Sequence, residues 1–386
     1  MTIITTTAEL NNLCNLLNSQ SFITIDTEFL RDKTYFPKLC LIQIGLDNHT
    51  VIIDALSPHL DITPLFYIFN NDNIIKVFHA ATQDLEIIFR LSGTIPYPIF
   101  DTQTAAMFCG LGCSISYNNL STQLIGVQID KTYQFTDWSL RPLSNAQITY
   151  ALNDVHYLRD IYIKLRKKLL ELNRLKWLEE EMLLIRNPTN YINNPEHAWI
   201  KIKSKIKNKN AIPLLQKLAA WREINAQQLD VPRGHLLKDN TLIEICKILP
   251  DSLIQLKSII TPANKHFIRN KTLKASLFNT IQESYISMEA KLSFSIEDSS
   301  ATNRTLYSML KLLLKSKSTE YNISPNIIAS DEELLTISSN EKALSSYLIK
   351  TMQGWRYDIF GKYAIDLQQG KIALTMRNNN IYVIEL

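Results

Sequence analysis

From Phe22 to Phe29 the chain alternates around β-branched residues (FITIDTEF), which predicts a strand whose every second side chain shares a face. Two further runs, Leu39-Leu46 and Thr50-Asp54, follow too closely for crossover helices, so the three strands are expected to form an antiparallel meander. Ahead of them, Thr7 to Gln20 sets Leu10, Leu13, Leu16 and Leu17 on one helical face. Behind them come a short helix near Pro64-Asn70, a strand at Asn73-His79, a helix at Thr82-Leu91, a strand near Pro98-Phe100 and a helix at Thr102-Phe108. This succession predicts a mixed sheet flanked by helices, an α/β layer.

After Leu111 the pattern turns almost wholly helical, with one long helix expected from Ser144 to Lys168. The segment NPTNYINNPE, Asn187 to Glu196, is rich in Asn and Pro and breaks the helical pattern, which makes it the expected domain boundary. Lysine then occupies every odd position from Lys201 to Lys209, a run that fits either a solvated linker face or a guide for a polyanion. Beyond it, HLLKDNTLIEICKILPDSL from His235 is weakly similar to NIIASDEELLTISSNEKAL from Asn326, an offset of 91 residues. Thr241 with Glu244, and Ser330 with Glu333, have capping-box spacing, so a repeated helical module is expected. The final KIALTMRNNNIYVIEL reads as a hairpin.

At 386 residues the chain exceeds one typical core, and two or three domains are expected. The net charge of +4 is too small to settle whether the partner is a polyanion. No stretch reaches the roughly 18 uninterrupted apolar residues of a membrane span, and the first 25 residues lack the pattern of a signal peptide, so a cytoplasmic protein with no membrane contact is expected. Cys14, Cys40, Cys109, Cys113 and Cys246 are odd in number and scattered, which disfavours a disulfide framework or a zinc site and predicts free thiols.

The chemistry lies in acids placed on apolar elements. Asp26 and Glu28 share one face of the first long strand, and Tyr150 and Asp154, four apart, share one face of the long helix. Carboxylates in apolar settings are costly unless a cation compensates them, and hard oxygen donors point to two magnesium or manganese ions. Such a pair can activate water for in-line attack on a phosphodiester. Asp84 opens a helix just beyond a strand end, where α/β sheets present ligand groups, although it would also suit the helix dipole. His79 ends that strand, either as a substrate contact or as a hydrogen-bonded structural residue.

The segments DTEF, HAATQDLEIIF, FDTQTAAMF, DWSLRPLSNAQITYALNDVHYL and LQKLAAWREINAQQLDVPRGHLLKD resemble the ribonuclease D family, DEDD exonucleases of the tyrosine subtype. The resemblance covers essentially the whole chain. It implies a ribonuclease H-like exonuclease fold followed by two small all-α HRDC-type domains, and 3′-to-5′ hydrolysis that releases nucleoside 5′-monophosphates. It carries the family's metal-binding acids onto Asp26, Glu28, Asp84 and Asp154, and its tyrosine onto Tyr150. It further implies that Asp26 bridges both ions, that Glu28 and Asp154 hold the ion carrying the attacking water, that Asp84 supports the other, and that Tyr150 positions the water. Asp101 and the Asp137-Pro142 segment also match. There Arg141 is expected either at an RNA phosphate or in an ion pair, and Trp138 either on a base or in the core.

The domains expected on this basis are an exonuclease domain at 1–190, a basic linker at 191–210, a first HRDC domain at 211–292, and an HRDC-like domain with a C-terminal tail at 293–386. The function expected is a metal-dependent 3′-to-5′ exoribonuclease acting on RNA, with transfer RNA precursors as the substrates the resemblance implies and no obligate protein partner. A proofreading-type exodeoxyribonuclease uses the same acids, and a catalytically silent RNA-binding scaffold is the alternative of another class.

Overall fold

The computed structural model describes residues 2–47, 49–202, 209–260, 267, 270–291, 303–339, 349–378 and 380–386. The N-terminal part runs β1 (Thr2–Ile4), α1 (Thr7–Leu17), β2 (Phe22–Leu30), β3 (Lys38–Gly45), β4 (Thr50–Asp54), α2 (Thr63–Phe69), β5 (Ile75–Phe78), α3 (Thr82–Ser92), β6 (Ile99–Asp101), α4 (Thr102–Phe108), α5 (Tyr117–Ile125), α6 (Asn145–Glu171) and α7 (Leu175–Ile185). The six strands form one mixed sheet in the order β1-β4-β3-β2-β5-β6. β2, β3 and β4 make the expected antiparallel meander, while β5 and β6 add in parallel. The short β1, which the sequence pattern does not announce, pairs with β4 in parallel.

Helix α6 determines where the chemistry sits. Its start is fixed by a capping box between Ser144 and Gln147, and Leu158, Ile161, Leu165 and Leu169 extend its buried stripe. At 27 residues it is about 40 Å long, enough to cross the sheet. It lies unusually close to β2 and β3. Thr24 Oγ1 on β2 donates to the backbone oxygen of Val155 at 2.7 Å, and a Cβ on Gly45 of β3 would stand 2.9 Å from that same oxygen and nearer still to Thr24 Oγ1. Gly45 is therefore required by close approach rather than by backbone angle. Arg159 adds a second tie: it pairs with Asp47 beyond the end of β3 and lies over the Phe22 ring at 4.3 Å.

The helical half contains two units with matched boundaries. Ile212–Leu229 (α8) and Arg304–Tyr321 are both 18-residue helices, and each ends in a left-handed cap, at Asp230 and Asn322. Four-residue helices follow at Arg233–Leu236 (α9) and Pro325–Ile328, then longer ones at Asp239–Ile248 (α10) and Asp331–Ser339. Asp230 to Asn322, Arg233 to Pro325 and Asp239 to Asp331 are each spaced by 92 residues, which corrects the 91-residue register read from sequence. The expected capping boxes change with it. Ser330 and Glu333 do cap their helix, whereas Thr241 is buried inside α10, whose N-cap residue is Lys238. The C-terminal hairpin is present as β7 (Ile372–Arg377) and β8 (Asn380–Glu385).

The two units attach to the sheet differently. Residues of the C-terminal unit, including Leu310, Ile328, Trp355 and Phe360, belong to the same hydrophobic core as the sheet. Trp355 stacks on Trp177 of α7 with centroids 5.1 Å apart, and Glu181 holds both Arg356 and the Trp355 indole N–H. The first unit has its own core, built on α8 and α10, which Tyr35 from the β2–β3 connection enters. There the Tyr35 hydroxyl meets Glu223, itself paired with Arg233, while Asp230 accepts from the Tyr35 and Phe36 amides at 3.1 and 3.0 Å. Of the lysine run, only Lys201 and the backbone of Lys209 lie within the described residues.

The close approach of α6 predicts a mutational effect. Gly45→Ala should destabilise the protein by about 1–3 kcal/mol, the usual range for overpacking, seen as a lower urea midpoint with unchanged slope. An unaltered midpoint would mean that α6 does not bear on Gly45.

Candidate active site

β2 carries Asp26 and Glu28 toward the face that α6 covers. α6 brings Asp154 one residue before Val155, whose backbone oxygen meets the sheet at Thr24 and Gly45, so the packing of the helix positions this acid directly. Carboxylate oxygens of Asp26, Glu28 and Asp154 come within 4.8 Å of one another. Pairing of β5 with β2 covers only Phe22 to Thr24, so the backbone of β2 beside the acids is free of that neighbour. The turn after β5 delivers Asp84 there. It is buried at 6% exposure, and its Oδ1 accepts from Thr27 Oγ1 at 2.5 Å, between the two strand acids in sequence.

Asp101 holds that turn in shape. Its carboxylate caps α4 through the Gln103 and Thr104 amides at 2.7 and 3.1 Å, and it also accepts from the amides of Ala80 and Ala81 at 3.3 and 2.9 Å. Ala80 sits at φ 59°, a conformation costly for a residue with a Cβ, and these bonds compensate it. Asp101 therefore fixes the start of α3, and with it Asp84, from the far side of the turn.

The electrostatics follow from crowding. Burial first, and then neighbouring acids, raise Asp26, Glu28 and Asp84 well above the ordinary carboxylate range, with Glu28 reaching about 10. Burial also lifts Asp154 to about 7 despite a hydrogen bond from Tyr150. A carboxyl raised in this way keeps a proton that the unfolded chain has already lost. Without a compensating cation, stability therefore declines as pH rises from the ordinary carboxylate range through about 7 and onward toward about 10. Tyr150 is raised above its usual value by burial and by the same acids, so at neutral pH it is a phenol that donates a hydrogen bond. Its ring lies between Trp138 and Tyr133, at centroid distances of 5.9 and 6.4 Å.

Divalent cations fit this donor set. All the donors are hard oxygens, and their mutual repulsion is the kind that a cation relieves. Gln43, the cross-strand partner of Asp26, adds a second indication: it is fully buried, and neither of its side-chain amide atoms has a hydrogen-bond partner. Sequence reasoning passed over Gln43, because a polar residue within KLCLIQIG gives no sign of what it faces.

The acids line a groove of about 550 Å³ together with His79, Tyr117 and Phe135. Larger grooves of about 790 and 820 Å³ lie beside α8 and the C-terminal hairpin, but neither gathers the acid cluster, so size does not locate the chemistry here. His79 reaches the groove with its Nδ1 held 3.0 Å from Thr102 Oγ1 and its ring against Tyr117, and burial lowers its pKa. Trp138 does not have the open position expected of a substrate contact, and Arg141, although exposed, is already engaged. Trp138 is 1% exposed within an apolar cluster, which leaves no face for a base. Arg141 makes a two-pronged pair with Asp54 at 2.7 and 2.6 Å and donates to the Trp138 and Leu140 carbonyls, so its hydrogen-bonding edge is committed to the fold. All five cysteines are free and four are buried, which matches the expected thiols. No helix among the described residues is long and apolar enough to cross a membrane.

Comparison with known proteins adds independent evidence. Residues 1–170 match a 3′-5′ exonuclease family model and residues 212–269 match the HRDC domain. Ribonuclease D of Bartonella henselae is 40% identical over all of this chain and 94% of its own length, and that of Granulibacter bethesdensis is 38% identical over 99% and 96%. The crystal structure of Escherichia coli RNase D, an exoribonuclease involved in structured RNA processing, superposes with a TM-score of 0.80 at 28% identity, covering 96% of this chain and 98% of that one. With full-length identity at this level and the same fold throughout, the chain belongs to the ribonuclease D family and is a 3′-5′ exoribonuclease.

Proposed function

We propose that Asp26, Glu28, Asp84, Asp154 and Tyr150 form the catalytic site, that the metal is magnesium or manganese, and that the RNA is a structured precursor such as that of transfer RNA. The observation that carries this reading is the convergence of three carboxylates within 4.8 Å, beside a phenol bonded to one of them. Asp26, which neighbours each of the other three acids, would hold both ions. Glu28 and Asp154 would hold the ion on the water side, and Asp84, with one oxygen engaged by Thr27, would support the other. Bound there, the cations supply an activated water and stabilise the leaving alkoxide. Tyr150 stays a protonated phenol at neutral pH, and with its one proton given to Asp154 its oxygen accepts from the water and so orients it.

In this reading residues 1–190 are the exonuclease domain, 191–210 the linker, 211–292 the first HRDC domain and 293–386 the second with its tail. The basic linker guides the RNA backbone, and the enzyme acts in the cytoplasm without an obligate protein partner. His79 contacts RNA from the groove wall, whereas Trp138 and Arg141 support Tyr150 and the start of α6.

Three outcomes test this reading. Asp26→Asn and Asp154→Asn should each lower nucleotide release by more than about 100-fold, the upper end for losing a mere outer-shell partner of a metal ligand, while RNA affinity in calcium persists. Tyr150→Phe should cost on the order of 10–100-fold with little change in metal affinity. Equal loss of RNA binding in all three variants would assign these residues to the fold instead.

Because the acids hold protons until cations displace them, manganese binding near pH 7 should release protons, seen by calorimetry in buffers of different ionisation heat. The release should diminish as pH rises and be smaller in Asp154→Asn. Binding with no proton exchange at pH 7 would contradict the assigned ligands.

Replacing Lys201, Lys203, Lys205, Lys207 and Lys209 with serine should flatten the dependence of log affinity on log salt by up to about 3 to 4, the value for five contacts to single-stranded RNA. An unchanged slope would remove the guiding role.

A further inference from the structure

Phe135 is out of place on any structural account. It is 93% exposed, the most exposed of the large hydrophobic side chains among the described residues, yet it stands at the groove that contains the acids. The segment bearing it is not a loose loop. Asp130 Oδ1 accepts from the Thr132 amide and hydroxyl, Gln134 N donates to Lys131 O at 3.2 Å, and Thr136 N donates to Tyr133 O at 3.2 Å. The turn is anchored on both sides of Phe135: Tyr133 packs edge-on against Tyr150, and Trp138 is sunk in the core. Two inward aromatic residues thus pin a turn whose outward aromatic residue touches no core. Lys131 and Gln134 line the groove on the same turn, placing a cation and an amide beside the phenyl ring.

We propose that Phe135 is a substrate-positioning residue that stacks on a nucleobase at the 3′ end of the RNA, with Lys131 beside it at the phosphodiester. This rests on the reading of the acid-lined groove as the site that receives that end. A phenyl ring accepts the π-face of any base, so the contact holds the strand without selecting sequence. It also gives the exposed ring a partner when substrate is bound. Anchoring through Tyr133 makes the ring's position depend on Tyr150, so base stacking and water orientation share one support.

The test pairs the side chain with the base. Wild type, Phe135→Ala and Phe135→Tyr are each given RNAs that are intact or carry a single abasic ribonucleotide at one of the last three positions. Affinity is measured in calcium, and kcat/KM in magnesium. With intact RNA, Phe135→Ala should weaken affinity roughly 5- to 150-fold, the range for one base–aromatic stack. At one abasic position wild type should suffer a comparable loss, Phe135→Ala should suffer no further loss, and Phe135→Tyr should behave as wild type. If Phe135→Ala is unaffected on intact RNA, or weakens intact and all abasic RNAs equally, the stacking role is overturned. Coupling in calcium without metal-dependent turnover would instead refute the catalytic reading while leaving the stack in place. Because the ring is almost wholly exposed, its removal leaves the core intact.

Discussion

Everything in the site depends on how closely α6 can lie on the sheet. The helix carries Asp154 and Tyr150, the strand carries Asp26 and Glu28, and the two elements touch where Thr24 donates to the backbone of Val155. Only a residue without a side chain fits at position 45 under that contact. Hydrophobic burial along the helix supplies the force for the approach. Its product is unfavourable in isolation: acids crowded together with raised proton affinities. The core therefore supports a local electrostatic cost, of the kind that divalent cations relieve.

The remaining parts hold this arrangement from three sides. Asp101 fixes the turn that delivers Asp84, and Arg141 locks the segment before α6 onto Asp54. The C-terminal unit, through Trp355 and Arg356, clamps α7. The first HRDC unit reaches the same strand system differently, through Tyr35 on the connection that leaves β2 two residues beyond a bulge at Glu28 and Phe29. Movement of that unit would be transmitted first to the strand bearing two of the acids. The difference is physical: one unit continues the core of the sheet, while the other keeps its own and is joined to the β2–β3 connection by Tyr35, Phe36 and a ring of polar bonds.

Much of this was legible in the chain because it follows short periods. Alternation in FITIDTEF put Asp26 and Glu28 on one face, and four-residue spacing did the same for Tyr150 and Asp154. The meander followed from strand spacing alone. What escaped depends on contacts between residues far apart in sequence. Gly45 looks like any strand-end glycine until α6 is seen across from it, and Asp101 looks like a routine helix cap until its second pair of amides is found. Trp138 and Arg141 were ambiguous for the same reason, since only Asp54, some 87 residues away, reveals that the guanidinium is occupied. The helical repeat was visible but misregistered by one residue, because its identity is too low to fix an alignment that helix boundaries fix at once.

The central claim is that the converged acids hold two cations that share Asp26. Anomalous diffraction from crystals soaked in manganese tests it most directly. The account predicts two peaks roughly 3.5–4 Å apart, with Asp26 within coordination distance of both and Glu28 and Asp154 at one. No manganese at these acids, or an ion bound without Asp26, would contradict it.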